Sequence, residues 1–337
     1  MKKRIGIIGL GLIGGSIALS LRGKFDIVGY DTDSFTCDYA NSNNIARIVP
    51  IEEMTSCEAV FVCVPVSATS SALESVTKLL PDVIVSDVAS VKAPFEFIGG
   101  RYVGTHPMAG TEKGGIRAAK AHLFENAYWV ITGSGKDADT VESIIKLTGA
   151  KPVRMTASEH DRAVSYFSHA PHAVAYALVS ASVESGGSPI AGSGFFDTTR
   201  IAGSSGEFWS EVFKLNKDNV LSALGIIDGE LSKIKSMLSS DDYDGLKAYM
   251  NAAKLKREAL FCGGACGEAL YVDLVDRIGE FERVTGKLAG AGINVASIAL
   301  MPGREGAGGA LRLEFENSTD RLRAAKALGI TTDKESV

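Results

Sequence analysis

Gly9-Leu10-Gly11-Leu12-Ile13-Gly14 constrains this chain more than any other stretch, because it follows an apolar run at 4–8 and opens a segment that stays apolar to Leu21. A G-x-G-x-x-G turn between a strand and a helix is the pattern of a dinucleotide-binding loop. The first glycine permits the tight turn, the second lets a pyrophosphate approach the backbone, and the third lets helix pack closely on sheet. The helix N-terminus, at Leu12 and Ile13, then meets the phosphate charge. Asp31 ends the next apolar run, roughly 20 residues on, where a carboxylate accepts hydrogen bonds from an adenosine ribose diol. Its charge repels a 2′-phosphate, and Thr32-Asp33 supplies no cation, so NAD is expected over NADP. Val64 and Pro65 close a further strand at the edge where ligands sit in such sheets, and both are placed in the cofactor wall. On this loop alone, a turn for some other phosphate compound remains an alternative.

Short apolar runs alternate with amphipathic stretches in the first half, as in a parallel sheet with crossover helices. Strands are expected at 4–8, 26–30, 59–64, 83–87, 101–105, 128–132 and 151–155. From 157 strand-like runs vanish, and helices are expected over 157–185, 205–238 and 241–261. After Gly263-Gly264 the pattern reads strand 269–275, helix 279–290, strands 293–300 and 308–316, and helix 318–328. The expected fold class is therefore an α/β Rossmann-type domain (1–156), an all-α domain (157–262) and a small α+β module (268–337). A hydrophobic fraction of 45% can fill such cores, while a net charge of −5 without a basic stripe argues against nucleic acid. Lys2-Lys3-Arg4 and the apolar run behind it imitate a secretory signal, but the glycines fall at dinucleotide positions. The chain is read as cytoplasmic, with no run of membrane-spanning length. Its five cysteines form no paired framework, which fits a reducing compartment, and Cys262 with Cys266 lacks partners for a metal site.

Polar segments stand just beyond two of the strands. Asp87-Val88-Ala89-Ser90-Val91-Lys92 follows the fourth, and Gly104-Thr105-His106-Pro107-Met108-Ala109-Gly110-Thr111-Glu112 the fifth. His106 is the acid–base candidate, since an ordinary imidazole accepts a proton near neutral pH. It could equally be a loop histidine packed on Pro107, and Ser90 could merely cap a helix. His122 and His160 have no supporting motif and are read as surface or structural residues. In Ser168-His169-Ala170-Pro171-His172 the two histidines share a helix side, and Pro171 is expected to kink the chain there. No third ligand completes a zinc set, so no metal is expected. Further on, Ser204 and Glu207 have capping-box spacing, with Phe208, Val212 and Leu215 as the buried stripe of the helix they start. Arg200 lies in the preceding loop, free to clamp a carboxylate or to pair with Asp197.

Taken together, GLGLIGGS at 9–16, DVASVK at 87–92, GTHPMAGTE at 104–112, SHAPH at 168–172 and GFFDTTRIAGSSGEFW at 194–209 resemble the prephenate/arogenate dehydrogenase family. The resemblance implies oxidative decarboxylation of prephenate to 4-hydroxyphenylpyruvate with NAD. His106 would then accept the ring-hydroxyl proton, and Ser90 would hydrogen-bond both His106 and that hydroxyl. Arg200 would bind a substrate carboxylate beside His172 and His169, with Thr111 and Glu112 at the mouth and Trp209 packed near Arg200. Asp161 would suit a gating ion pair with Glu112 or a neighbour. A homodimer through the long helices is implied as well. The tail is similar to an ACT domain, with Asp276 and Gly279 in its first loop and Asn294 at the start of its second strand, which implies tyrosine as an effector. Ile278 departs from the proline common there, and the last strand must be short or absent.

Three rival readings stay open at this point. An arogenate dehydrogenase shares the motifs. A β-hydroxyacid dehydrogenase would need a catalytic lysine, for which Lys214 is a faint candidate, and a non-enzymatic NAD sensor would leave His106 and Arg200 idle.

Overall fold

The computed structural model describes residues 2–110, 114–183, 190–262, 268–275, 277–301, 310–315 and 317–330. They fall into two compact units, Met1–Gly229 and Glu230–Val337. The first unit is built on an eight-stranded sheet. Its elements are β1 (Arg4–Ile8), α1 (Leu12–Leu21), β2 (Asp26–Tyr30), α2 (Ser34–Ser42), β3 (Arg47–Ile48), β4 (Ala59–Val62), α3 (Val66–Leu79), β5 (Ile84–Asp87), β6 (Tyr102–Pro107), β7 (Tyr128–Thr132), α4 (Lys136–Lys146) and β8 (Lys151–Arg154). The strand order is β3-β2-β1-β4-β5-β6-β7-β8. Neighbours run parallel except β6 and β7, which are antiparallel, so the expected parallel sheet carries one reversal. The two-residue β3 was not expected, because two residues carry no readable period.

Strand residues point alternately to the two faces. Ile5, Ile7, Ala59 and Phe61 enter one buried cluster with Ile17, Leu21 and Trp129. Ile8, Val28, Val60 and Val62 enter the other, with Leu73 and Val76 of α3. Chain direction reverses across the sheet between β1 and β4, which opens a crevice at their carboxyl ends.

Helices α5 (Ala157–Val164), α6 (Ala170–Val183), α7 (Ser193–Thr199), α8 (Gly206–Leu215) and α9 (Lys217–Ser239) follow. Trp209 and Val212 of α8 are buried in the same cluster as α3, which brings this helix against the sheet. The stripe differs from expectation, since Phe208 is exposed and Trp209 takes its place. The cap differs as well. The Ser205 hydroxyl accepts from the Phe208 amide at 3.3 Å, so the helix begins one residue later than Ser204 implied. Between α5 and α6, Ser165–His169 forms a π turn. Pro171 has no N–H to continue the ladder and crowds the carbonyl four residues back. The chain absorbs this by widening into the π turn rather than by a simple proline kink.

The second unit contains α10 (Tyr243–Cys262), β9 (Glu268–Asp273), α11 (Glu280–Gly290), β10 (Ser297–Met301), β11 (Ala310–Phe315) and α12 (Ser318–Leu328). The three strands form an antiparallel sheet in the order β10-β11-β9. Leu270, Val272, Leu311, Leu313 and Phe315 pack under Val284 and Leu288 of α11 and Ala324 and Leu328 of α12. Gly279 takes φ +90 at the start of α11, a conformation that favours glycine. Glu280 behind it is buried and held by Arg277 at 2.6 Å and Arg283 at 2.8 Å. Asn294 is exposed three residues before β10, not within its first turn of pairing. Asp276, Gly263, Gly264, Cys266 and any strand after α12 lie outside the described residues. No helix among those described is long and apolar enough to cross a membrane.

Candidate active site

The crevice between β1 and β4 is lined by the glycine loop. Gly9 has φ +89, and a Cβ there would lie 2.5 Å from the Cys63 carbonyl oxygen. A Cβ on Gly14 would lie 1.9 Å from the Gly9 carbonyl oxygen, so both positions demand glycine. At Gly11 the Cβ direction meets nothing within 4 Å. That open space is where the second glycine of such a loop faces a pyrophosphate. Gly11 caps α1 without a side-chain hydrogen bond, which leaves the first-turn amides at Leu12 and Ile13 turned to the same space. Asp31 accepts from the Leu10 amide at 2.7 Å through one oxygen and from the Asp33 amide at 3.0 Å through the other. It thus ties the loop to the end of β2 and keeps lone pairs free for a ribose. Val64 is half-buried and Pro65 exposed at the start of α3, facing the loop through Cys63. These residues fit a dinucleotide.

Beside the crevice, β5 and β6 end in a buried polar cluster. Lys92 and Asp87 form an ion pair with both side chains fully removed from solvent. Lys92 Nζ also donates to the Thr105 carbonyl at 2.7 Å. Asp87 accepts from the Tyr102 hydroxyl at 2.8 Å, the Ala89 amide at 2.9 Å and the Thr105 amide at 3.2 Å. Burial pulls the Lys92 ammonium down, and Asp87 pushes it back up. Such a pair persists only because its remaining hydrogen-bonding capacity is filled.

His106, near the end of β6, has Nδ1 2.8 Å from His160 Nε2. His160 Nδ1 lies in turn 2.7 Å from Asp161 Oδ1. His160 and Asp161 are both buried, and Asp161 also accepts from the amides of Lys92 at 2.8 Å and Ala93 at 2.9 Å. Of the two readings of His160, surface or structural, the structure shows the buried one, with a hydrogen bond to His106. The Asp161 carboxylate is sealed under backbone amides, and Glu112, the partner expected for a gating ion pair, lies outside the described residues. Ser90 is half-buried and makes no hydrogen bond to His106, whose Nδ1 is already taken. Burial holds the His106 imidazole well below its ordinary range, and the Lys92 charge adds to this. His106 is therefore neutral at physiological pH, with Nε2 free of any partner among the described residues.

The π turn places the remaining histidines. A regular helix turns about 100° per residue, so His169, eight positions after Asp161, would lie roughly 80° round from it. The extra residue of the π turn takes back about 100°, which brings the two nearly into line. Asn216 joins them, donating to the Asp161 carbonyl at 2.8 Å and lying 3.2 Å from His169 Nδ1. His169 is fully buried, and its Nε2 has no hydrogen-bond partner. His172 donates from Nδ1 to the Ser168 carbonyl at 2.8 Å and stacks on Trp209, with ring centroids 3.6 Å apart. Burial lowers the His172 imidazole, and the Arg200 charge adds to this. Arg200 begins a short 3-10 turn after α7, so the segment before α8 is helical where the sequence pattern predicts a loop. Arg200 and Asp197 are both exposed, and no salt bridge joins them among the described residues. Thr111 and Glu112 lie outside the described residues. Lys214 is exposed beside Glu211, away from a base role.

Burial holds His169 down to about 4, against an ordinary 6.5. The unfolded chain therefore binds this proton more readily than the folded one. The stabilising contribution is complete above pH 6.5 and is lost as the pH falls towards 4, by roughly 3 kcal/mol in all. Thermal melts at pH 7.5 and 4.5 should show a smaller gap for His169→Leu than for the parent. An equal gap in both would remove His169 from the acid response.

Comparison with known proteins gives a consistent picture. Residues 17–155 match the family described as prephenate dehydrogenase, nucleotide-binding domain, and residues 156–252 match prephenate dehydrogenase, dimerization domain. The chain is 33% identical to the prephenate dehydrogenase of Bacillus subtilis (strain 168), over 100% of this chain and 98% of that one. Among solved structures it is similar to the A. aeolicus prephenate dehydrogenase in complex with hydroxyphenyl propionate and NAD+. There the identity is 30% and the TM-score 0.70, over 77% of this chain and 99% of that one. The Synechocystis arogenate dehydrogenase matches at 28% identity and TM-score 0.68, over 76% and 99%.

Proposed function

The chain belongs to the prephenate dehydrogenase family, and from that premise we propose how its own residues carry the reaction. The reaction is the NAD-dependent oxidative decarboxylation of prephenate. When bound, NAD supplies the acceptor for the hydride leaving the ring carbon that bears the hydroxyl. The glycine loop holds the pyrophosphate over Gly11, and Asp31 takes the ribose. His106 Nε2 draws the proton of the ring hydroxyl, which raises electron density at the carbon about to be oxidised. The ring carboxylate departs as carbon dioxide, the ring becomes aromatic, and the proton returns to the phenolic oxygen. The observation that carries this reading is a neutral, half-buried His106 whose second nitrogen is free beside a dinucleotide crevice. Ser90 stands close enough in sequence to the same strand ends to meet the hydroxyl once substrate is present.

Arg200 clamps a substrate carboxylate, and His172 stacked on Trp209 forms the wall beside it, with His169 behind. Thr111 and Glu112 are assigned to the mouth of the pocket, and Asp197 to orienting Arg200. Arg200→Ala is expected to raise KM by about 10²-fold with a far smaller change in kcat, as for loss of a charge-assisted contact made in ground and transition states alike. An unchanged KM would take Arg200 out of the pocket.

A second copy of the chain covers the apolar helix surfaces. Leu221 and Ile226 of α9 and Leu255 and Leu260 of α10 are each more than half exposed. The dimerization-domain match over residues 156–252, which takes in α9 and the first half of α10, supports a homodimer. The β-α-β-β-α order and three-stranded sheet of the tail support an ACT-like module that senses tyrosine through its first loop, which holds Gly279, with Asn294 in the segment that leads into β10. The assay that tests these readings follows NADH with NAD and either prephenate or arogenate, with and without tyrosine. Turnover of prephenate is the expected result, and suppression by tyrosine gives the tail its role. Turnover of arogenate alone would move the enzyme to the other branch, and no turnover of either would end the enzymatic reading.

A further inference from the structure

We propose that His160 and Asp161 are positioning residues that fix which nitrogen of His106 faces the substrate, an inference that rests on His106 being the base of the reaction above. Backbone amides can only donate hydrogen bonds. Those of Lys92 and Ala93 are directed at the two oxygens of Asp161, at 2.8 and 2.9 Å. The carboxylate is thereby an acceptor on both sides and cannot turn. His160 Nδ1, 2.7 Å from Oδ1, must therefore carry a hydrogen. In this arrangement His160 is an imidazole with its single N–H on Nδ1, donated to Asp161, so that Nε2 presents a lone pair to His106 Nδ1. His106 Nδ1 is then the protonated nitrogen, and the lone pair on Nε2 is left for the substrate.

The opposite tautomer of His106 would set two lone pairs head to head across 2.8 Å in a site shielded from water. It would also place an N–H where the hydroxyl proton has to go. Burial sharpens the choice, since His160 and Asp161 are both at most 1% exposed. The fixed end of the chain is fastened twice more. Asn216 of the α8–α9 junction donates to the Asp161 carbonyl, and the Asp87–Lys92 pair anchors the segment that supplies the two amides. When the O–H bond of the substrate breaks and Nε2–H forms, His106 becomes a cation whose Nδ1–H still donates to His160. The negative charge of Asp161 then stands one ring away. The charged and titratable groups facing His106 are Lys92 after β5, His160 on α5 and His169 in the π turn.

Imidazole nitrogen NMR of the 15N-labelled full-length parent protein tests this. The chain has five histidines, and His106→Asn identifies the signals of residue 106. The expected spectrum at pH 7 shows His106 with Nδ1 as N–H and Nε2 as a bare nitrogen. A predominant Nε2–H form, or a fast mixture of the two, overturns the proposal. In kinetics, His160→Leu is expected to lower kcat by about 10²-fold with KM changed little. His160→Gln, whose carbonyl can accept from His106 Nδ1–H, should restore about tenfold of that loss. Unchanged kcat in a folded His160→Leu protein overturns the proposal as well. Failure of the parent enzyme to turn over prephenate would strike the reaction and not the tautomer, which the spectrum reads independently.

Discussion

His106→Asn is expected to lower kcat by about 10³-fold while KM for prephenate stays within a few-fold of the parent value, as for loss of a base that acts only in the transition state. Asparagine can keep a polar atom near His160, since its amide reaches roughly where Nδ1 stood. It has nothing at the position of Nε2, so on the proposed mechanism the hydroxyl proton loses its acceptor while Trp209, His172 and Arg200 stay in place. The parent enzyme should also hold its kcat as the pH falls through 6.5, because burial and the Lys92 charge keep His106 unprotonated well below that value. A variant with near-normal kcat would falsify the assignment of the base.

The second large effect concerns stability. Lys92→Met is expected to destabilise the fold by about 3–5 kcal/mol, since removal of one partner leaves the other charge buried. Asp87 would keep the Tyr102 hydroxyl and two amides, which softens the loss but supplies no positive charge. For a unit of this size the change corresponds to a fall in Tm of roughly 10 °C. The mirror substitution, Asp87→Asn, leaves a buried ammonium facing one carbonyl and should be at least as costly. A Tm within 2 °C of the parent for Lys92→Met would mean that water reaches the pair. Because Lys92 also helps keep His106 neutral, the acid limb of the pH–rate profile should move to higher pH in a folded Lys92→Met protein.

Local patterns in the sequence carried the sheet and the cofactor loop. Strands β1, β2 and β7 and helix α12 begin and end where apolar alternation and capping residues placed them. Gly9 and Gly14 each show the steric demand expected of them, while Gly11 faces open space. His106 was legible because it stands at the end of a strand facing the crevice. Its partner was not, because 54 residues separate it from His160 and only packing brings them together. A signal was nevertheless present in α5. Its buried positions are Ala157, His160, Asp161 and Val164, a helical stripe on which two polar residues occupy core places. Polar side chains on a core stripe are normally hydrogen-bonded to something, and that test identifies both. The burial of Lys92 left no such trace, since a lysine after a strand is ordinarily solvated. The shift from Ser204 to Ser205 as cap reflects two adjacent serines, either of which satisfies the spacing to within a residue.

The Trp209–His172 stack also has an optical consequence. The chain has two tryptophans, and Trp129 is sealed beside Phe124 in the sheet cluster, where its emission is a constant background. Trp209 instead stacks on the His172 imidazole, with ring centroids 3.6 Å apart. A neutral imidazole leaves indole emission bright, whereas a protonated one quenches it, so the charge on His172 is expected to register in the emission of Trp209.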